Sequence, residues 1–394
     1  MSGTLPLEAE PMPARASRSM TMTPEQAIAR AVAIAGSDHF GPDGWQEGLA
    51  RSLDGFARMP LRPEVYDASV EKLVQDLAIR LRIEAWFKAN PQVEGKAIEG
   101  PVFVVGLPRT GTTATVGMMA LDERFRFMRL WEGAQPLPPP IAGEEDRDPR
   151  VIEARAAAVA YDKSHIHLFD PDGPEEDLAV LAGFDMHSYH GAYPMPDDYV
   201  DWWLNARFDT FYAYHRRLLT LMQSRRPPHL WLLKSPAHLF RLTEIARAYP
   251  TAKFVMTHRD PVKIIASLAS LHAMLYEERC LPGAIDPKTI GPRHLDLWAE
   301  GMRRGLAARA EIGEDRFVDV RNEDIVKRPI ETLDRVYAHL GMPMTPAFLR
   351  KLEQYNSRNA PGAFGRHSYT AEQYGLTDDG IRAAFGDYAM RFGV

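Results

Sequence analysis

Residues 101–121 read PVFVVGLPRTGTTATVGMMAL, an apolar run followed by a loop with two glycines and then by a segment of helical composition. This order predicts a strand, a tight loop and a helix. Gly106 and Gly111 have the G-x-x-x-x-G spacing of a Walker A loop, in which backbone N–H groups and the positive end of the following helix hold an anion. The segment therefore predicts a binding site for a phosphate-like group.

The lysine of a nucleotide-hydrolysing Walker A loop is missing from this segment, because Thr112 occupies its position. Without that lysine, the charge on the β- and γ-phosphates is not compensated in the usual way. The sequence therefore disfavours ATP or GTP hydrolysis with magnesium and favours another phosphate-like ligand. The alternative interpretation is a tight glycine turn that binds nothing.

Similar strand, loop and helix units follow later in the chain. Their predicted strands are 230–233, 253–257 and 317–320, and their predicted helices lie near 238–249, 262–271 and 329–340. This alternation predicts an α/β fold with a central parallel sheet flanked by helices, in which ligands bind at the carboxyl ends of the strands.

The rest of the chain is predicted to add helices to this sheet. Apolar residues recur at helical spacing between Thr23 and Asn90, whereas the stretch from Pro136 to Tyr214 is rich in Pro, Asp and aromatic residues and has no alternating pattern. We predict a flexible tail at 1–22 and a single domain at 23–394, made of a helical part at 23–95 and an α/β core at 101–394 with a helical insertion at about 136–228.

Bulk composition restricts the partners and the compartment. The 394 residues carry 47 Lys and Arg against 53 Asp and Glu, a net charge of -6, so the surface as a whole does not attract nucleic acid. The single cysteine, Cys280, excludes an intramolecular disulfide and a Cys-rich metal centre. Residues 1–20 lack the apolar core of a signal peptide, and no apolar run reaches the ~20 residues of a membrane span. These features predict a cytoplasmic protein.

Three motifs give the chain a resemblance to a known family. PRTGTT at 108–113, LKSPAH at 233–238 and HRDP at 258–261 with Ser267 resemble the sulfotransferases that use 3′-phosphoadenosine 5′-phosphosulfate (PAPS). The likeness is greatest to the bacterial branch, and the motifs are also similar to those of tyrosylprotein sulfotransferases. It implies a fold like that of P-loop nucleotide kinases and, without a metal, transfer of a sulfuryl group from PAPS to a hydroxyl of a small-molecule acceptor.

The same resemblance implies roles for the motif residues. The loop around the 5′-phosphosulfate would be Pro108, Arg109, Thr110, Gly111, Thr112 and Thr113. Arg259 and Ser267 would bind the 3′-phosphate, since a guanidinium forks onto phosphate oxygens and a hydroxyl adds a neutral donor. Lys234 and Arg109 would stabilise the charge that builds up on the leaving adenosine 3′,5′-bisphosphate.

Transfer to a hydroxyl also requires a base near the sulfuryl group. Glu132 is the first candidate, because tyrosylprotein sulfotransferases have a catalytic glutamate at a similar distance past the phosphosulfate loop, and Leu130 and Trp131 would give it an apolar wall. His238 is the rival candidate, because cytosolic sulfotransferases use a histidine. Arg366 is a candidate contact to the 3′-phosphate, although the Arg-Lys-Gly run of the cytosolic enzymes is absent.

Two other functions remain open at the level of the sequence. One is an ATP-dependent small-molecule or nucleotide kinase, and the other is a non-catalytic nucleotide-binding protein. A homodimer is expected from the family resemblance alone.

Overall fold

The computed structural model describes residues 21–160, 170–227, 229–358 and 370–394. These residues contain a five-stranded, entirely parallel sheet with the order β2-β3-β1-β4-β5. The strands are β1 (Val102–Gly106), β2 (Phe125–Arg126), β3 (Leu230–Lys234), β4 (Lys253–His258) and β5 (Phe317–Arg321).

Strand β1 lies in the centre of the sheet, and the chain forms its neighbour β3 on one side before its neighbour β4 on the other. On one side Val104 pairs with Lys234 of β3, and on the other Gly106 pairs with Thr257 of β4. The carboxyl end of β1 is therefore a point where the strand order changes direction. In open parallel sheets such a point forms the crevice that binds ligands.

Helices cover both faces of the sheet. Within the described residues they are α1 (Pro24–Ala35), α2 (Gln46–Arg58), α3 (Pro63–Ala89), α4 (Thr112–Met119), α5 (Leu130–Ala134), α6 (Pro149–Ala160), α7 (Asp177–Leu181), α8 (Asp197–Asn205), α9 (Asp209–Gln223), α10 (Leu242–Ala248), α11 (Pro261–Arg279), α12 (Pro287–Ile312), α13 (Asn322–Lys327), α14 (Pro329–Leu340), α15 (Pro346–Arg358), α16 (Asp378–Ala384) and α17 (Gly386–Phe392). A 3₁₀ turn, Pro236–Arg241, connects β3 to α10. No described helix combines the length and the apolar composition needed to cross a membrane.

Alternate residues of the buried strands pack into two separate apolar clusters, because successive side chains of a strand point to opposite faces. Phe103 and Leu233 join a large cluster that also contains the N-terminal helices α1–α3. Val104 and Leu232 join a smaller cluster with residues of α4, α14 and α15. The sheet is buried on both faces, which explains why its strands are continuous apolar runs in the sequence.

The predicted fold class is confirmed, and the differences are local. Strand β2 was not predicted, because two residues are too few to show a periodic pattern. Helix α11 continues to Arg279, eight residues beyond its predicted end, and the predicted helix at 238–249 begins with the 3₁₀ turn. The predicted insertion contains α6 to α9. The predicted domain boundaries remain a prediction.

Candidate active site

The loop between β1 and α4 has a backbone that requires its two glycines. Gly106 has a φ of 140°, and a Cβ there would lie 2.6 Å from the carbonyl oxygen of Thr257. Gly111 has a φ of 96°, and a Cβ there would lie 2.6 Å from Nδ2 of Asn322. Residues with a side chain rarely adopt such φ values. The glycine spacing therefore reflects the conformation of the loop.

Polar contacts within the loop and from β4 and α13 hold this loop in place. The Thr110 hydroxyl donates to the carbonyl oxygen of Leu107 at 2.6 Å and lies 2.6 Å from the Thr257 hydroxyl, while Asn322 Nδ2 donates to the carbonyl oxygen of Thr110 at 3.2 Å. No described side chain caps the start of α4. Because the first N–H groups of a helix have no partner within the helix, they are available to an anion in the loop.

Arg109, Arg259 and Ser267 come together beside this loop. Arg109 has the left-handed φ of 66°, and its Nε donates to the Ser267 hydroxyl at 3.3 Å. The Arg259 guanidinium donates to the carbonyl oxygen of Arg109 at 2.9 Å. Two guanidiniums and a hydroxyl thus form a basic cluster, which we call the arginine cluster. It links the ends of β1 and β4 to the first turns of α11.

The C-terminal helix α17 supports Arg259 from behind. The Tyr388 hydroxyl accepts from the Arg259 N–H at 3.2 Å, and Phe392 stacks on His258 with ring centroids 3.9 Å apart. His258 Nε2 is 2.8 Å from Asp319 Oδ1 on β5. Asp260 caps α11 by accepting from the N–H of Val262. The motif at 258–261 is therefore fixed on several sides.

Of the other predicted loop residues, Thr112 is buried, Pro108 and Gly111 are half-buried, and Thr113 is exposed. Arg366 lies outside the described residues.

Lys234 ends β3 and points toward the side of the sheet covered by α4. Residues two apart in a strand share a face, and Leu232 packs in the same cluster as Val116 of α4. The Lys234 side chain is 4% exposed, and its Nζ donates to Glu176 Oε1 at 3.0 Å. A nearly buried ammonium therefore lies at the carboxyl end of β3, the neighbour of β1, with a carboxylate next to it.

Asp177 fixes the strand end that carries this lysine. Its Oδ1 accepts from the Lys234 N–H at 2.8 Å, and its Oδ2 lies 2.8 Å from His238 Nε2 and 3.0 Å from His215 Nε2. Asp177, His215 and His238 are fully buried. Burial alone would raise the pKa of Asp177, but the charge of His238 and the hydrogen bonds from the two histidines outweigh burial and hold that pKa far below its ordinary value.

His238 is placed as a support for this network. Its Nε2 faces Asp177, and its Nδ1 lies 2.8 Å from the Tyr212 hydroxyl. Burial raises the pKa of Tyr212 well above 10, so its hydroxyl keeps its proton. Both ring nitrogens of His238 thus contact other side chains of the protein, and neither is left to contact the hydroxyl that receives the sulfuryl group. This arrangement does not fit the predicted role of His238 as a base.

Glu132 also lies in surroundings other than those predicted. Its side chain is 0% exposed, and its two carboxylate oxygens accept from Arg126 at 2.8 Å and from Arg129 at 2.9 Å. Burial lowers the pKa of Arg126 to about 10, although the Glu132 charge opposes this effect. The predicted apolar wall is therefore replaced by two guanidiniums, which hold both oxygens that a base would need.

Sequence reasoning missed several residues that build the site. Glu176 and Asp177 belong to an acidic stretch to which no role was given, and Asn322 and Tyr388 lie outside every recognised motif. Their hydrogen-bond partners are 57 to 212 residues away in the chain, so no local sequence pattern indicates these contacts. Among the described residues, no group of three or more His, Cys, Asp or Glu side chains is arranged to hold a metal ion.

Comparisons with known proteins agree with this geometry. A family model described as "Sulfotransferase family" matches residues 101–346. Two proteins named Omega-hydroxy-beta-dihydromenaquinone-9 sulfotransferase Stf3, from Mycobacterium bovis and Mycobacterium tuberculosis, are each 27% identical over 304 residues, which is 74% of this chain and 75% of theirs.

Two solved structures resemble the whole chain. Sulfotransferase STF9 from Mycobacterium avium has a TM-score of 0.87 at 26% identity, covering 96% of this chain and 98% of its own. Sulfotransferase STF1 from Mycobacterium tuberculosis H37Rv has a TM-score of 0.80 at 27% identity, covering 93% and 99%. Because the family model matches more than half of the residues, including all three motifs around the crevice, the chain belongs to the sulfotransferase family and is an enzyme that transfers a sulfuryl group.

Proposed function

We propose that the sulfuryl donor is PAPS and that adenosine 3′,5′-bisphosphate is the product that leaves. The observation that carries this proposal is the arginine cluster beside the β1–α4 loop. PAPS carries two anionic groups on opposite sides of its ribose. A loop with unpaired helix N–H groups suits the 5′-phosphosulfate, and the guanidinium of Arg259 with the Ser267 hydroxyl suits the 3′-phosphate.

Lys234 and Arg109 take the electrostatic role in this proposal. As the sulfur–oxygen bond to the phosphate breaks, negative charge accumulates on the phosphate oxygen. A cation already fixed at that place stabilises the transition state more than the ground state. Lys234 suits this role because its side chain is nearly buried and its backbone is fixed by Asp177, so little reorganisation is needed.

For the acceptor we propose a hydroxyl on an apolar molecule. A relative that is 27% identical is named for an omega-hydroxy menaquinone acceptor, which is a long apolar molecule that ends in an alcohol. We therefore expect apolar alcohols or phenols to be better acceptors than sugars.

Calorimetric titration tests the donor proposal without knowledge of the acceptor. The protein is titrated with adenosine 3′,5′-bisphosphate in the presence of EDTA, and separately with ATP and magnesium. We expect metal-independent binding of the bisphosphate and much weaker binding of ATP. Preference for ATP with magnesium would instead support a kinase, and binding of neither nucleotide would reject the proposed donor.

The variant Arg259→Ala tests the 3′-phosphate contact in the same titration. Loss of a charge-assisted pair is expected to weaken bisphosphate binding by about 10-fold to 100-fold, which corresponds to roughly 1.5–3 kcal/mol. Binding of adenosine 5′-monophosphate, which lacks the 3′-phosphate, should change little. The control is Arg207→Ala, because the Arg207 side chain is 87% exposed. An equal loss for both nucleotides would contradict the assignment of Arg259.

A further inference from the structure

We propose that Glu176 is the general base that takes the proton from the acceptor hydroxyl. The proposal rests on the proposed function above, because it uses Lys234 as the residue next to the sulfuryl group. Glu176 Oε1 lies 3.0 Å from Lys234 Nζ, and Glu176 Oε2 lies 3.5 Å from the Ser235 hydroxyl. The carboxylate therefore stands at the end of β3, beside the cation that marks the reaction centre.

The backbone around Glu176 keeps the carboxylate in this place. The next residue, Asp177, is fully buried and accepts from the Lys234 N–H. On the other side, the Glu176 N–H donates to Glu175 Oε1 at 2.8 Å, and the Glu175 N–H donates to the carbonyl oxygen of Met128 at 2.9 Å. Glu176 is thus fixed relative to Lys234, as a base must be if it is to reach one particular hydroxyl.

Accessibility separates Glu176 from Glu132. The Glu176 side chain is 32% exposed, whereas that of Glu132 is 0% exposed and both its oxygens are held by guanidiniums. A base must meet the acceptor and then release the proton to solvent. The partly exposed Glu176 carboxylate is open to an acceptor and to solvent, whereas the buried Glu132 carboxylate is closed to both. Glu132 instead pairs with Arg126 and Arg129.

The ion pair with Lys234 does not prevent this role. An ammonium has three N–H groups, so Lys234 has one for Glu176 and others for the oxygens of bound PAPS. In the reaction, the acceptor oxygen forms a bond to sulfur while the bond between sulfur and the bridging phosphate oxygen breaks. The electron pair of that bond stays on the phosphate, and the hydroxyl proton passes to the Glu176 carboxylate and then to water.

Glu176→Gln tests the proposal, because the amide keeps the size of the side chain and an oxygen that accepts from Lys234. The full-length protein is given PAPS with 2-naphthol, with geranylgeraniol, or with water as the only acceptor, and release of adenosine 3′,5′-bisphosphate is measured by chromatography. We expect the variant to lose about 10²-fold to 10⁴-fold in kcat, the usual contribution of a general base, and to bind the bisphosphate within twofold of the wild type.

The pH profile separates a base from a merely structural residue. The wild-type rate should fall at acidic pH as the base becomes protonated, whereas the residual rate of Glu176→Gln should lack this fall. Glu176→Asp should recover part of the rate. The matched control is Glu300→Gln, since Glu300 is 27% exposed and is likewise paired with cations, and its rate should stay within twofold of wild type.

Several outcomes would overturn the assignment. Glu176→Gln that turns over within threefold of wild type while Glu132→Gln does not would return the role to Glu132. An unchanged acidic limb in the Glu176→Gln profile would also contradict it. A wild-type protein that binds no bisphosphate and releases none from PAPS would instead reject the proposed donor, which is a separate result.

Discussion

At the scale of single residues, Lys234 is the most constrained group of the site. A lysine that is 4% exposed needs compensation, and two consecutive acidic residues supply it in different ways. Glu176 pairs with the ammonium, while Asp177 accepts from the Lys234 N–H and is itself held by two histidines. The charge of the side chain and the position of its backbone are therefore controlled separately.

This separation predicts the behaviour of Lys234→Met, which keeps most of the length of the side chain and removes its charge. The backbone N–H still donates to Asp177, so the fold and the bisphosphate affinity should change little. Turnover of PAPS should fall by about 10²-fold to 10³-fold, as when one electrostatic donor is removed from an active site. Single-turnover release of bisphosphate measures this loss, and the unfolding midpoint in urea checks the fold. Wild-type turnover would exclude Lys234 from catalysis.

The sequence predicted the residues of this site only as far as short motifs extend. The family resemblance assigned Arg109 to the phosphosulfate loop and paired Arg259 with Ser267 at the 3′-phosphate, and the structure brings all three side chains together. The contact of Glu176 with Lys234 spans 58 residues and depends on how the insertion folds back onto β3. Glu132 was given an apolar environment because only its chain neighbours were visible, whereas its partner Arg126 belongs to the short strand β2.

At the scale of elements, the β1–α4 loop depends on a glycine at the start of the helix. Gly111→Ala would place a Cβ 2.6 Å from Asn322 Nδ2 in a backbone with a φ of 96°. The strain of a left-handed residue with a side chain is about 1–3 kcal/mol, and the Asn322 contact to Thr110 would have to move. We expect bisphosphate affinity to fall about tenfold or more, as measured by calorimetry.

Gly117→Ala is the matched control in the same helix. A Cβ at Gly117 would meet the Tyr355 hydroxyl at 3.5 Å, which is an ordinary contact, and alanine favours a helix. Affinity and stability should stay close to those of the wild type. Equal losses in the two variants would show that α4 tolerates no side chain at either glycine. The β1–α4 loop would then have no particular requirement for Gly111.

Elements were predictable where burial on both faces made a strand a continuous apolar run. This condition holds for β1, β3 and β4, which were predicted at 101–105, 230–233 and 253–257 and whose observed carboxyl ends each lie one residue later. It fails for β2, which pairs with β3 through two residues. The predicted end of α11 was also too early. The helix continues past Leu271 to Arg279, and the next residue, Cys280, pairs with Leu61 of the N-terminal helical part.

At the scale of the whole molecule, two buried histidines connect helices α11 and α12. His272 of α11 and His294 of α12 have ring centroids 3.9 Å apart, and both are buried. His272 Nδ1 donates to the carbonyl oxygen of Leu268 at 2.9 Å, and His294 Nε2 lies 3.4 Å from the Tyr276 hydroxyl. Burial lowers the pKa of His272 to about 4 and lowers that of His294 as well.

These shifts predict how stability depends on pH. In the unfolded chain, His272 has a pKa of about 6.5, so between pH 6.5 and pH 4 the unfolded state binds a proton that the folded state does not. The contribution is fully present above pH 6.5 and is lost as the pH falls toward 4. A difference of about 2.5 pKa units corresponds to roughly 3 kcal/mol of unfolding free energy.

His272→Gln keeps a donor for Leu268 and removes the titration, so its free energy of unfolding in urea should fall between pH 7 and pH 4 by about 3 kcal/mol less than that of the wild type. The exposed His39, changed to Gln, should leave the wild-type dependence unaltered. An equally steep loss in His272→Gln would mean that other groups, such as the carboxylates with lowered pKa values, cause the acid sensitivity of the fold.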